Sequence, residues 1–290
     1  MKEEINKLSS EELIKKIKLD IEKSGFSAEM KVNSILLKNN FGAIWPAHTY
    51  LDKDHDVSRE IDFVAASIMN ILNPNVMVNV ELCIEVKKSE KPWVIFGKKH
   101  NKSVKDDLAI GFSAFHLKTV SNEVPGFYSS KLGSIKSPLL NSDFHGTSFH
   151  ESFKSPQEHS QIYAALMTSI KAAISEVDLI NSNNKSYKYE DLTVVNLFLP
   201  IVVLEGRLFK STLDARGEVQ VEETDYITSA LTYSSKNYVD KGSRKFLAEV
   251  ITLPGLEKYL QSVLEWQKEL FDYTINLKSD YKKQDENRFN

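Results

Sequence analysis

Apolar positions along this chain follow two different periods. From residue 9 to 23, and again from Ser27 to about Asn40, they recur every three or four residues: Leu13, Ile14, Ile17 and Ile21 first, then Ala28, Val32, Ile35 and Leu36. That spacing predicts two amphipathic helices, because residues three and four apart share a helical face. Ser9 or Ser10 can cap the first, with Glu11 and Glu12 in its first turn; Gly25 breaks the chain and Ser27 opens the second. The first helix is expected to pack on the domain as an accessory element. Short β-branched and aliphatic runs follow at Phe41–Tyr50, 58–64 and 81–88, and read as three successive strands. Between the first two lies the polar turn 52–56, which lacks the glycine and terminal glutamate of a calcium loop and is expected to be a solvated hairpin turn.

Beyond Lys91-Pro92-Trp93, the run Val94–Phe96 continues the third strand past a break. The stretch 97–156 is rich in Ser, Lys, Asn and Gly with weak periodicity, and reads as an insertion partly ordered by Phe112, Phe115, Phe127, Tyr128, Phe144 and Phe149. Its histidines His145 and His150, with His159 just after, have poor spacing for zinc and are expected on surface loops. Residues 157–177 predict a helix that buries Ile162, Ala165, Leu166, Ile170 and Ile174. Leu192–Leu204 is a buried strand in which Pro200 marks a bulge or an edge. Turns at Gly206 and Gly217 predict an antiparallel extension through 207–213 and Val219–Val221; a strand at 246–251 and a helix at 256–277 follow, and 281–290 reads as a polar tail. With no repeat or linker, the expected organisation is one elaborated α/β domain over 1–290. It comprises an N-terminal helix (1–24), a first core half (25–96), the insertion (97–156), a second core half (157–253) and a C-terminal helix with its tail (254–290).

Composition adds limits. A hydrophobic content of 41% over 290 residues supports a substantial core. The 37 basic residues against 40 acidic ones give a net charge of -3, so any surface for a polyanion must be local. Cys83, the single cysteine, excludes an internal disulfide and a multi-cysteine zinc site, and its apolar strand marks it as core. The charged segment 1–10 has no signal-peptide pattern and the most apolar run is too short for a membrane helix, so a cytoplasmic protein without a membrane partner is expected.

The candidate chemistry lies in the second and third strands. Side chains alternate across a strand, so Leu82, Ile84 and Val86 face one way while Cys83, Glu85 and Lys87 face the other; in the preceding strand Ile61 and Phe63 oppose Asp62. If the two strands pair, Asp62, Glu85 and Lys87 meet. A buried carboxylate costs several kcal/mol unless it is paired or binds a metal. Magnesium is held by one or two carboxylates plus substrate phosphates, so Asp62, Glu85 and the Val86 carbonyl supply a suitable half-shell, with Lys87 beside the attacking water.

At these residues the chain resembles the PD-(D/E)xK nuclease superfamily, whose motif is an Asp on one strand and Glu-x-Lys on the next; Ile61 stands where the name has proline. The resemblance covers 26–96 well and 194–204 more loosely. It implies a restriction-endonuclease-like core, a central mixed sheet flanked by helices, here with an insertion and an antiparallel β extension. It also implies a Mg²⁺-dependent phosphodiester hydrolase, with Mn²⁺ as a substitute, acting on DNA in preference to RNA. A homodimer and separately encoded partner proteins are both compatible with it. Glu29 is similar to the glutamate that the first core helix often brings to the site; its plain reading is an exposed acid favoured by the helix dipole. Gln161 is similar to a helical glutamine beside the site in some members; its plain reading is a polar residue near a helix start. Two alternatives stand beside the nuclease: a non-catalytic nucleic-acid-binding or structural protein with the same fold, and Glu85 with Lys87 as an ion pair on a solvated sheet face. Finally, Lys87, Lys88, Lys91, Lys98, Lys99, Lys102 and Lys105 against the lone acid Glu90 form a basic stripe. It makes Lys88, Lys98, Lys99, Lys102 and Lys105 candidate phosphate contacts, or else a solvated lysine face.

Overall fold

A computed structural model describes residues 9–73, 75–99, 117–120, 144–155, 160–183, 192–233, 235, 237–238 and 244–289. In chain order the elements are α1 (Ser10–Lys23), α2 (Phe26–Lys38), β1 (Ala43–Asp52), β2 (Val57–Leu72), β3 (Asn75–Lys88), β4 (Trp93–Lys99), β5 (Leu117–Val120) and β6 (Phe144–Glu151). Then come α3 (Gln161–Asn183), β7 (Thr193–Glu205), β8 (Leu208–Leu213), β9 (Val219–Glu223), β10 (Tyr226–Tyr233), β11 (Arg244–Thr252) and α4 (Leu256–Phe289). The described strands form one 11-stranded mixed sheet in the order β1-β2-β3-β7-β11-β10-β6-β4-β8-β9, with β5 beside β7. The protein is thus α/β, and among the described residues no helix is long and apolar enough to cross a membrane.

The centre of the sheet is the parallel pair β3–β7, matched residue for residue from Val76–Thr193 to Lys88–Glu205. Such a pair must be covered on both faces. On one face Val76, Val78, Val80, Leu82, Ile84 and Val86 pack with Ala28, Val32 and Leu36 of α2 and Leu260, Val263 and Trp266 of α4. On the other, Cys83, Val64 and Phe198 pack with Ile162, Leu166 and Ile170 of α3. Each fully buried aliphatic side chain contributes about 1.5–3 kcal/mol. The fold therefore rests on helices α2 and α4 on one side and α3 on the other.

Several expectations need correction. Helix α1 has its capping box, Ser9 with Glu12, but none of its residues is buried, so it is an external helix and not one packed by its apolar stripe. Ser27 lies inside α2, whose N-cap is Gly25 without a side-chain bond. The turn after β1 is docked and not solvated: Asp52 is buried and accepts hydrogen bonds from Lys171 of α3 (2.9 Å) and Arg59 (2.7 Å). Phe144–Glu151, expected within the insertion, is a sheet strand between β10 and β4, which buries His145; His150 is exposed, and His159 falls outside the described residues. Pro200 marks neither bulge nor outer edge. On its side of β7, β5 pairs Val194–Leu197 and β11 pairs Ile201–Leu204, so the missing N–H falls in the gap between partners. Segment 281–289 continues α4.

Glu249 of β11 is fully buried, with Thr228 donating a 2.7 Å hydrogen bond to it. Burial pushes its carboxyl from 4.5 up to about 8, against the Thr228 bond. A raised folded-state pKa stabilises the fold at low pH and loses that contribution as pH climbs from about 4.5 through 8. Glu249→Gln keeps the acceptor and removes the charge. Thermal unfolding is expected to show the variant gaining on wild type by on the order of 1–3 kcal/mol between pH 5 and pH 8.5; a gap constant with pH contradicts this.

Candidate functional site

Strands β2 and β3 pair from Leu72–Asn75 only as far as Phe63–Ile84, whereas β3 stays paired with β7 to Lys88. Past Ile84 the β2-facing edge of β3 is open. Asp62 fills the opening: its Oδ2 accepts the Val86 backbone N–H at 2.6 Å. The alternation expected for β2 breaks here, since Phe63 joins the α2/α4 core and Ile61 the α3 core, so the two do not share one face as expected. At this point β1 holds Ala47 at φ 50° between its pairs Pro46–Phe63 and His48–Ile61, and the β3 ladder has already ended. The reading of β3 holds, with Leu82, Ile84 and Val86 in one core and Cys83 in the other.

Glu85 is 8% exposed, and its Oε1 accepts a 2.5 Å bond from Lys87 Nζ while its Oε2 is buried without a partner. Burial, only partly offset by Lys87 and reinforced by Asp62, pushes its carboxyl up to about 7. Burial also raises Asp62, against the Val86 N–H and Lys87. Glu29 of α2 is raised by burial and then by the neighbouring Asp62. A cavity of about 430 Å³ opens here, lined by Lys23, Gly25, Glu29, Asp62, Val86, Lys87, Lys88 and Glu90. Glu29, Asp62 and Lys87 thus line one cavity, whereas Glu85 does not line it and adjoins the group through its bond to Lys87.

The remaining candidates divide. Lys88 lines the cavity but is engaged, donating to the Glu22 carbonyl and lying 3.5 Å from Glu205. Lys98 sits on β4, opposite His145 of β6, and does not line the cavity. The Lys99 side chain, Lys102 and Lys105 lie outside the described residues. Gln161 is exposed at the start of α3 and does not line the cavity, in keeping with its plain reading. Lys23 was missed: a lysine ending an amphipathic helix gives no sign that the helix end meets a strand end.

Among the described residues no three His, Cys, Asp or Glu side chains stand ready-made around a metal ion. The donor set nonetheless suits a hard divalent cation: Asp62 and Glu85 offer carboxylates, Glu85 Oε2 lacks any partner, and Lys87 holds the position a cation would take on Oε1. Because N–H and C=O of one strand residue point to the same edge, the Val86 carbonyl faces the Asp62 side. No family model matches this chain, and no curated protein or solved structure shows significant similarity to it.

A carboxylate kept buried for a ligand strains the fold. Metal-free Glu85→Gln is therefore expected to unfold at the same or a higher temperature than wild type at pH 8, where the wild-type carboxylate is ionised. A loss of more than about 2 kcal/mol would instead mark Glu85–Lys87 as a structural pair.

Proposed function

We propose that this chain is a divalent-metal-dependent nuclease that hydrolyses phosphodiester bonds of DNA, with a restriction-endonuclease-like core. The observation that carries the reading is the Asp62–Val86 hydrogen bond, which brings Asp62 to the end of β3 where Glu85 and Lys87 already stand. The order of elements supports it once the intervening strands β4, β5 and β6 are set aside as the insertion: helix α2, the antiparallel run β1–β2–β3, helix α3, then β7 parallel to β3. The resemblance to the PD-(D/E)xK superfamily asks for a helix, a three-strand meander and a second helix in this sequence of elements.

In this reading Asp62, Glu85 and the Val86 carbonyl hold Mg²⁺ or Mn²⁺. A bound divalent cation supplies Lewis acidity toward the phosphoryl oxygen and lowers the pKa of water. Lys87, which in the absence of a cation donates to Glu85, would be the residue that orients the attacking water. Glu29, which also lines the cavity and whose pKa is raised by burial, would accept the proton that this water loses. The open cavity admits a strand of nucleic acid from solvent.

A second reading has one observation in its favour, the 2.5 Å contact of Lys87 with Glu85, which would make the two a structural ion pair in a non-catalytic protein. Cleavage assays separate them. Asp62→Ala, Glu85→Ala and Lys87→Ala are each expected to lower DNA cleavage by at least about 10²-fold while the protein stays folded. Wild-type cleavage should need Mg²⁺ or Mn²⁺, with Ca²⁺ supporting binding and little turnover. Cleavage undiminished in EDTA, or unchanged in the three variants, overturns the nuclease reading.

A further inference from the structure

Helix α1 touches α2 but is held only lightly by apolar packing. It buries none of its residues fully; Leu13 is half-buried, and Ile14 and Ile17 are open to solvent at 53% and 47% exposure. What ties its end to the body is polar: Lys88 of β3 donates to the Glu22 carbonyl in the last turn of α1. The residue after Glu22 is Lys23, which lines the cavity together with Glu29, Asp62 and Lys87.

Three lysines line that cavity, and their states differ. Lys87 is bonded to Glu85, and Lys88 to the Glu22 carbonyl and to Glu205. Lys23 is exposed, and its side chain makes no hydrogen bond or ion pair among the described residues. Its place in the last turn of a helix is favoured by the helix dipole, which accounts for a lysine there but not for a binding cavity in front of it. With Glu85 on Lys87, the site carries four acids, Glu29, Asp62, Glu85 and Glu90, against the three lysines, so a divalent cation on the carboxylates would shift its balance from -1 to +1.

We propose that Lys23 is a substrate-positioning residue that grips a phosphodiester next to the one being cleaved, and that α1 is held at the mouth of the site to present it. This rests on the nuclease reading for the identity of the polyanion. The latch formed by Lys88 fixes the end of α1 relative to the catalytic strand, so the ammonium of Lys23 and that of Lys87 are spaced by the protein and not by the substrate. Preorganised spacing of this kind fixes the register of the backbone over the reacting centre.

The test is binding of a fluorescein-labelled DNA duplex in Ca²⁺ over a series of salt concentrations, comparing wild type with Lys23→Gln and with Lys16→Gln, a lysine of α1 that does not line the cavity. Lys23→Gln is expected to weaken binding roughly three- to tenfold and to flatten the plot of log affinity against log salt by about one unit. Lys16→Gln should change neither, and both variants should unfold at the wild-type temperature. If Lys23→Gln matches Lys16→Gln, or if wild type does not bind the duplex, the inference is overturned. Wild-type cleavage in Mg²⁺, measured separately, judges the nuclease reading: binding that depends on Lys23 without cleavage would sink that reading and leave the phosphate grip standing.

Discussion

The site depends on one side chain standing in for a strand. Where the β2–β3 ladder stops at Phe63–Ile84, the Val86 N–H would face an open edge, and the Asp62 carboxylate takes it at 2.6 Å. A charge-assisted bond of this kind is stronger than an ordinary backbone pair. It lets the strands diverge without leaving the donor unsatisfied, and the divergence makes room for a cavity lined by Glu29, Lys87 and Lys23. On its other side β3 remains locked to β7 through Lys88, so it does not follow β2 outward.

The adjoining β1–β2 hairpin is fixed at its turn by a second polar cluster. Lys171 of α3 is buried, bonds Asp52 and Asp54 at 2.9 Å each, and lies 5.7 Å and 5.3 Å from the ring centres of Tyr233 and Tyr238. Burial works against the Asp52 charge, yet hydrogen bonds from Lys171, His55 and Arg59 hold that carboxyl well below the usual range. The contrast with Glu85 is instructive. Asp52 has a full set of donors and is stable as an anion, whereas Glu85 has one donor, one orphaned oxygen and a carboxyl raised to about 7. Glu249 is half-bonded too, with Thr228 on one oxygen and the other orphaned, but it lines no cavity; what sets Glu85 apart is its bond to Lys87, which does.

Much of this was legible in the sequence because strand alternation is a strong local signal. The period of two in 82–87 placed Glu85 and Lys87 opposite Leu82, Ile84 and Val86, and the period of helices α2 and α3 gave their buried faces. What was not legible depended on distant partners. Nothing near residue 144 says that His145 joins a sheet beside Thr228, or that the gap opposite Pro200 is left by β5 and β11. The Asp52 turn has a polar composition that suits water equally well, and only Lys171, 119 residues away, makes it interior. Lys23 came into the cavity for the same reason: the latch from Lys88 to Glu22 is a contact between elements with no shared pattern. Of the lysine stripe, two described members part company. Lys88 lines the site, but β4 carries Lys98 to the pairing with β6, because proximity in sequence stops predicting proximity in space once a strand changes partners.

The central claim is that Asp62 and Glu85 are held together to bind a divalent cation. Titration with Mn²⁺, followed by the loss of the free-ion electron paramagnetic resonance signal, addresses it without any substrate. The account predicts binding by wild type that Asp62→Asn and Glu85→Gln each weaken by about tenfold or more, with Lys87→Gln binding at least as well as wild type because its ammonium no longer competes for Glu85. Binding that is absent in wild type, or unaffected by either carboxylate substitution, would contradict it.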